Sequence, residues 1–164
     1  MAKIVSDNLV VRISKKGEEK IIDLGKLFND NPNRVISIVG TVNEDGFPNT
    51  APMSLFYAPN DNTIVAGMVK TSQTVANIKR DGRLIIEVLY EGAIGFGLIG
   101  QGEIIKEPLD CSDATLVVKI DVAGVKRDTS PAQIITSGPK VTLRSEKAGE
   151  YEKSVLKEIR QSLS

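Results

Sequence analysis

The sequence predicts a mainly β protein, a small β-barrel or half-open sheet with flanking helices. Three observations lead there. At least six β-branched or alternating apolar segments are separated by turns rich in Gly, Pro, Asn and Asp, and only one short internal segment has a helical period. A chain of 164 residues leaves room for one domain with short appendages. At that size about 68–70% of the unfolded surface can be buried, so a core needs neither disulfides nor a metal.

Residues 1–33 read as an N-terminal extension. Leu9 to Ile13 is strand-like, Lys15 to Lys20 is a charged turn, and Ile21, Leu24 and Phe28 recur at helical spacing. Asn29-Asp30-Asn31-Pro32-Asn33 ends that segment, because proline lacks an amide hydrogen and biases its predecessor away from the helical region. The main domain is expected over 34–144. Val35 to Val42 is β-branched and runs into Asp45-Gly46, a pair that supplies the positive φ of a tight hairpin. Phe47 to Ala58 is expected to return as one strand, restricted by Pro48 and Pro52 to an edge, a bulge or a strand end. Pro59 to Asn62 makes the next turn, and Thr63 to Lys70 the third strand.

The period then changes. Thr71 or Ser72 is a natural N-cap, Val75 and Ile78 form a short apolar stripe, Lys79 and Arg80 suit the negative end of the helix dipole, and Gly82 suits the position after it. Arg83 to Tyr90 and Ala93 to Glu107 are further strands. The glycines at 95, 97, 100 and 102 fit bends or bulges of a closing sheet better than a phosphate loop, since no helix follows them. Leu116, Val118, Ile120 and Val122 alternate with other residues as in a half-buried strand. Residues 124–140 read as a loop enclosing a short strand-like Gln133 to Thr136. From Ser145, residues 145–164 form an amphipathic helix with Tyr151, Val155, Ile159 and Leu163 on one face, suited to packing on the barrel or on a partner subunit. Its evenly mixed Lys and Glu do not suit an anionic membrane surface.

Composition removes whole classes of chemistry. The chain has no His, no Trp, one Cys and seven aromatics, four Phe and three Tyr. Serine and cysteine hydrolase mechanisms built on imidazole, and His-ligated zinc or haem, are excluded. Cys111 lies beside Asp110 and near Asp113, whose charge raises a thiol pKa, so it reads as a small semi-buried residue rather than a nucleophile. Lys plus Arg and Asp plus Glu both number 21, giving zero formal charge. With no net field and few stacking rings, nucleic acid is not an expected partner. The N-terminus lacks an apolar signal run and no stretch approaches a membrane span of roughly 18 apolar residues, so the expected location is the cytoplasm.

The densest chemistry lies between Asp45 and Arg83. Lys70-Thr71-Ser72-Gln73-Thr74 leaves a strand and opens a helix, placing hydroxyls and an ammonium beside the unpaired amides at the positive end of the helix dipole. That suits a phosphate dianion, although Ser and Thr caps also begin helices that bind nothing. The preceding Ala66-Gly67-Met68-Val69 has side chains that would let a flat ligand lie against the strand; small residues also fit a tight barrel taper.

The run Arg34 to Val42, then Asp45-Gly46-Phe47-Pro48-Asn49-Thr50-Ala51-Pro52-Met53-Ser54, then Ser72 to Ile78 and Asp81-Gly82-Arg83, resembles the FMN-binding split β-barrels related to pyridoxamine 5′-phosphate oxidase. The resemblance spans about residues 34–107 and rests on the order and spacing of these pieces. It implies a homodimer with flavin sites in the subunit interface. The FMN phosphate would be held by Lys70, Thr71, Ser72 and Thr74. The isoalloxazine would rest along Asn49, Ala51, Pro52, Met53 and Ser54, and along Ala66, Gly67, Met68 and Val69. Asn77 matches the family's Asn and would brace the loop or touch the ligand, and Gln101 lies in the strand that reaches the neighbouring flavin in relatives. Two departures matter. Thr74 stands where the family has a basic residue, leaving Lys70 to supply the charge, and no His exists for the C-terminal substrate motif of the true oxidases.

The resemblance therefore implies an FMN-dependent oxidoreductase with a small-molecule substrate other than pyridoxamine phosphate, and possible reduction by NAD(P)H. Two alternatives stay open: a non-catalytic flavin-binding or sensing protein, and a deazaflavin-dependent reductase using the same groove. No metal site is expected.

Overall fold

The computed structural model describes residues 11–15, 18–31, 34–91, 94–128 and 130–163. The chain enters through a hairpin of β1 (Val11–Lys15) and β2 (Glu18–Ile22), paired from Val11 with Ile22 to Lys15 with Glu18. This corrects two expectations. Part of the supposed charged turn is a strand, and Ile21 belongs to that strand rather than to a helix with Leu24 and Phe28. Glu18-Glu19-Lys20 has no apolar alternation, so its pairing is set by register with β1, which no local pattern announces. Leu9 and Val10 of the expected first strand lie outside the described residues.

Helix α1 (Leu24–Phe28) is capped by Asp23, whose carboxylate accepts the Lys26 amide at 3.0 Å. Asn29 then ties it to the barrel, donating to the Ala58 carbonyl at 2.7 Å and accepting the Ala58 amide at 2.8 Å. Leu24, Leu27 and Phe28 are buried in the main core, with the Phe28 and Phe56 rings 5.3 Å apart.

The body is a seven-stranded antiparallel sheet, in the order β4-β3-β7-β8-β9-β6-β5. It comprises β3 (Ser37–Val42), β4 (Pro48–Met53), β5 (Phe56–Asn60), β6 (Thr63–Val69), β7 (Arg83–Tyr90), β8 (Ile94–Lys106) and β9 (Thr115–Arg127). The β3–β4 turn carries Gly46 at φ 85°, the left-handed conformation for which Asp45-Gly46 is suited. Residues 47–58 are two strands rather than one. The chain turns at Ser54-Leu55, and β4 and β5 end on opposite edges of the sheet. Both prolines of β4 lie on an edge strand, where a missing amide costs no ladder bond. Pro59 lies within β5, the other edge, so the following turn is shorter than expected.

Helix α2 (Gln73–Asp81) connects β6 to β7, with Gly82 at φ 75° terminating it. Pairing between β8 and β9 shifts register at Ile99/Gly100 and Ile104/Lys106. Such irregularities bend a sheet on itself. The inward residues Val39, Ile64, Ile86, Phe96, Leu98 and Ile120 are at most 1% exposed.

Beyond β9 the chain has no strand at Gln133 to Thr136, contrary to expectation. It crosses the barrel as an irregular strap and enters α3 (Glu146–Gln161), capped by Ser145. Val155, Leu156 and Ile159 bury against Val65, Val117 and Leu109 on the outer side of β6 and β9, a second cluster separate from the barrel interior. Each such side chain contributes roughly 1.5–3 kcal/mol. Tyr151 and Leu163, expected on the same packed face, are each 41% exposed. Cys111 is exposed rather than semi-buried. Among the described residues no helix is long and apolar enough to cross a membrane.

Candidate functional site

The polar segment at the start of α2 is built in layers. The Ser72 hydroxyl accepts the Val75 amide at 3.2 Å, the Ser72 amide donates to the Val69 carbonyl at 3.0 Å, and the Lys70 amide donates to the Ala114 carbonyl at 2.9 Å. The β6–α2 loop is thus pinned at both ends. The Gln73 and Thr74 amides are the first two helical donors, and an α-helix offers them no internal acceptor. The first turn contains no acidic side chain. Lys70 and Ser72 are half-buried, and Thr71 is exposed.

Beneath this surface lies a closed polar network. Asn77, 1% exposed, donates through Nδ2 to Thr41 Oγ1 and Asn43 Oδ1, both at 2.9 Å. Its Oδ1 accepts from Gln73 at 3.0 Å and from Arg80 at 3.1 Å. These four bonds use the amide's whole ordinary capacity. Asn77 therefore braces the loop against β3. Thr74, also 1% exposed, receives a 3.2 Å bond from Asn49 Nδ2, which lies equally far from Thr41. The residues at 74, 75, 77 and 78 form the buried face of α2, and its polar half is what joins β4 to the helix.

Lys79 and Arg80 lie in the last turn of α2, where their charge suits the negative end of the helix dipole, and each also reaches a partner beyond the helix. Arg80 reaches the Val42 carbonyl and Asn77, while Lys79 pairs with Glu107 at 2.8 Å. Gln101 lies at the other end of α2, donating to the Asp81 carbonyl at 2.7 Å, roughly 13 Å from the first turn for a nine-residue helix.

Along β4, Asn49, Ala51 and Met53 are half-buried and Pro52 is exposed. Half-buried Ser54 leads into Leu55, whose carbonyl accepts the Gly67 amide at 3.0 Å. The corner after β4 is therefore tied to β6 through Leu55 and Gly67, and β4 itself to α2 through Asn49 and Thr74. On β6, Ala66 and Met68 point into the core and Val69 is 54% exposed. Gly67 faces α3, where an added Cβ would meet Ile159 at 2.9 Å and Val155 at 3.0 Å. The side chains of Ala66, Gly67 and Met68 are thus committed to packing, so a ligand there would meet backbone. Strand pairing on its β5 side ends at Ala66 while β9 pairs on to Val69, and beyond Ala66 the Gly67 amide bonds Leu55 and the Val69 carbonyl accepts the Ser72 amide, so that edge is only partly open.

These residues fit a phosphorylated planar ligand: free amides, a hydroxyl and an ammonium for the phosphate, and the edge strand β4 with the partly paired end of β6 for the ring. Sequence reasoning passed over Thr41 and Asn43, although a polar residue inside the β-branched run of β3 was a usable signal.

The outer face of β3, β7 and β8 is apolar. Val42, Leu89 and Ile99 are 42%, 41% and 46% exposed, and Gly40, Ile85 and Ile99 lie side by side in register. Glu87 on the same face has its carboxyl pushed up to about 7 by burial and by Asp128, partly offset by Lys126. On the far side of the barrel Glu158 accepts the amides of Asp110 at 2.6 Å and Cys111 at 3.1 Å and pairs with Lys106. Burial opposes its charge, but these partners outweigh it and hold the carboxyl at about 2. Partial desolvation and the same carboxylate hold the Cys111 thiol above its ordinary range, against a nucleophilic role.

No family model and no curated protein sequence matches the chain. Solved structures do. A putative pyridoxamine 5′-phosphate oxidase from Lactobacillus delbrueckii aligns over 69% of this chain and 98% of its own, with TM-score 0.53 and 15% identity. HupZ of Group A Streptococcus aligns over 72% and 95%, with TM-score 0.51 and 21% identity. An F420 reductase aligns over 63% and 96%, with TM-score 0.51 and 14% identity. The fold is that of the pyridoxamine 5′-phosphate oxidase-like split barrels.

Proposed function

We propose that this protein is an FMN-dependent oxidoreductase acting as a cytoplasmic homodimer on a small molecule. The observation that carries the reading is the convergence of β4 with the start of α2: Asn49 bonds to Thr74, directly beneath a helix N-terminus that has no acid of its own. In this reading Lys70, Thr71 and Ser72 hold the phosphate with the Gln73 and Thr74 amides. Thr74 contributes its amide, since its hydroxyl is engaged by Asn49. Asn49 to Ser54 and the end of β6 at Met68 and Val69 seat the ring. FMN, when bound, supplies the electron transfer, and the chain supplies binding, orientation and exclusion of water.

With no His and no Trp in the chain, the ring rests on backbone and aliphatic groups. The sequence holds no His for the oxidases' substrate motif, and the proposed substrate is a small molecule other than pyridoxamine phosphate. The exposed apolar face of β3 and β8 around Val42 and Ile99 is the surface proposed for the second copy. Ile99→Glu should halve the mass measured by sedimentation velocity, and an unchanged mass would exclude that face.

The protein as isolated should be yellow, and mass analysis of the material released on denaturation should show FMN. A colourless protein that leaves FMN fluorescence unchanged on titration contradicts the reading. Anaerobic bleaching by NADH or NADPH would separate a reductase from a protein that only holds flavin. The likeness to F420 reductase supports a second reading, a deazaflavin in the same groove, which the released mass distinguishes.

A further inference from the structure

A cleft of about 920 Å³ lies between the strap, the start of β3, the end of β7 and α3. It shares only Ser54 with the flavin groove described above. Ligand sites commonly occupy about 300–1,000 Å³.

Its walls are of two kinds. Ile36, Leu89, Val141 and Leu143 supply apolar surface, while Arg34, Lys140 and Lys153 supply positive charge. The acids on the wall are Glu91 and Glu152. Glu152 is engaged by Arg34, with Nε to Oε2 at 3.4 Å. Lys140 and Lys153 make no ion pair among the described residues, although both line the cleft. With Arg34 and Glu152 engaged with each other, two ammonium groups stand against the one carboxylate of Glu91, and this positive surplus beside an apolar wall complements an anion carried on an apolar body better than a cation.

The cleft is also a built feature, because close contacts fix the strap above it. At Gly138 an added Cβ would lie 2.8 Å from the Leu89 carbonyl oxygen, so the strap sits directly on the β7 backbone. Farther along, a Cβ added at Gly149 would lie 3.0 Å from Leu143 Cδ1, so the strap passes close against the first turn of α3 while Leu143 stays 54% exposed.

We propose that this cleft binds a small organic anion with an apolar body, its anionic group held by Lys140 and Lys153 under the strap. The site stands whether or not the flavin reading does. If both hold, the occupant borders the flavin groove at Ser54.

The chain has no Trp, so Thr142→Trp places a single reporter at the cleft. The probes are anilinonaphthalene sulfonate and its uncharged counterpart, phenylnaphthylamine. The sulfonate should quench the introduced tryptophan saturably, with one site per chain and at least tenfold higher affinity than the uncharged probe. Adding Lys140→Gln and Lys153→Gln, both at exposed positions, should weaken the sulfonate at least tenfold and leave the uncharged probe unchanged. Absence of saturable quenching, equal affinity for the two probes, or sulfonate binding insensitive to the lysine changes would each overturn the proposal.

Discussion

Helices α2 and α3 begin in the same way and differ in what they leave open. Ser72 caps the Val75 amide at 3.2 Å, and Ser145 caps the Ala148 amide at 3.1 Å. Yet α3 carries Glu146 in its first turn, whereas α2 carries no acid there and is preceded by Lys70. A helix N-terminus attracts negative charge, worth about 0.3–1 kcal/mol on an exposed surface. Helix α3 meets that demand from within its own sequence, and α2 does not. Farther along α3 the pattern repeats, with Glu158 serving as the anion for two loop amides. A serine cap alone therefore says nothing about ligands; the informative feature is a cap with no internal anion.

The sharpest way to break this contrast is to remove the groups around the α2 terminus. Lys70→Ala with Ser72→Ala should weaken FMN tenfold to over a hundredfold, since a charge-assisted hydrogen bond contributes about 1.5–3 kcal/mol. Riboflavin, which lacks the phosphate, should be affected far less in the same fluorescence titration. Asn77→Ala comes next. It removes a donor from buried Thr41 and from half-buried Asn43, and urea unfolding should show a loss of about 1–3 kcal/mol. In contrast, Ser145→Ala should cost about 1 kcal/mol of stability and leave FMN affinity unchanged.

Acid sharpens the contrast from the α3 side. Glu158 is held at about 2, below its ordinary 4.5, so the stability it contributes is complete above pH 4.5 and is lost as pH falls toward 2. In thermal melts, Glu158→Gln should lower the melting temperature at pH 7 and reduce the difference between pH 5 and pH 2.5. An unchanged acid dependence would show that its bonds to the 110–111 loop do not form in solution. The smallest effect belongs to Glu146→Gln, a loss of about 0.3–1 kcal/mol with no change in flavin binding.

Much of this was legible in the sequence where the cause is local. Asp45-Gly46, the Ser72 cap and Gly82 each state a backbone requirement that one or two residues satisfy, and Pro48 and Pro52 exclude a central strand. What stayed hidden depends on partners distant in sequence. The corner at Ser54-Leu55 sends β4 and β5 to opposite edges of the sheet, a tertiary event without a local signal. Val117 interrupts the expected alternation by being buried on the face that α3 covers. Gln133 to Thr136 has strand-forming residues but no strand to pair with. At the site, the cap and its hydroxyls were visible, while the inward turn of Thr74 and Asn77 required reading all of the 74–78 stripe, polar members included.

An open phosphate site at the α2 terminus, within a flavin groove, would make the protein distinguish FMN from riboflavin by the phosphate alone. Parallel titrations of the unmodified protein with FMN and riboflavin test it most directly. Saturable FMN binding at least tenfold tighter than riboflavin is expected; equal affinities, or no binding of either, would rule the phosphate site out.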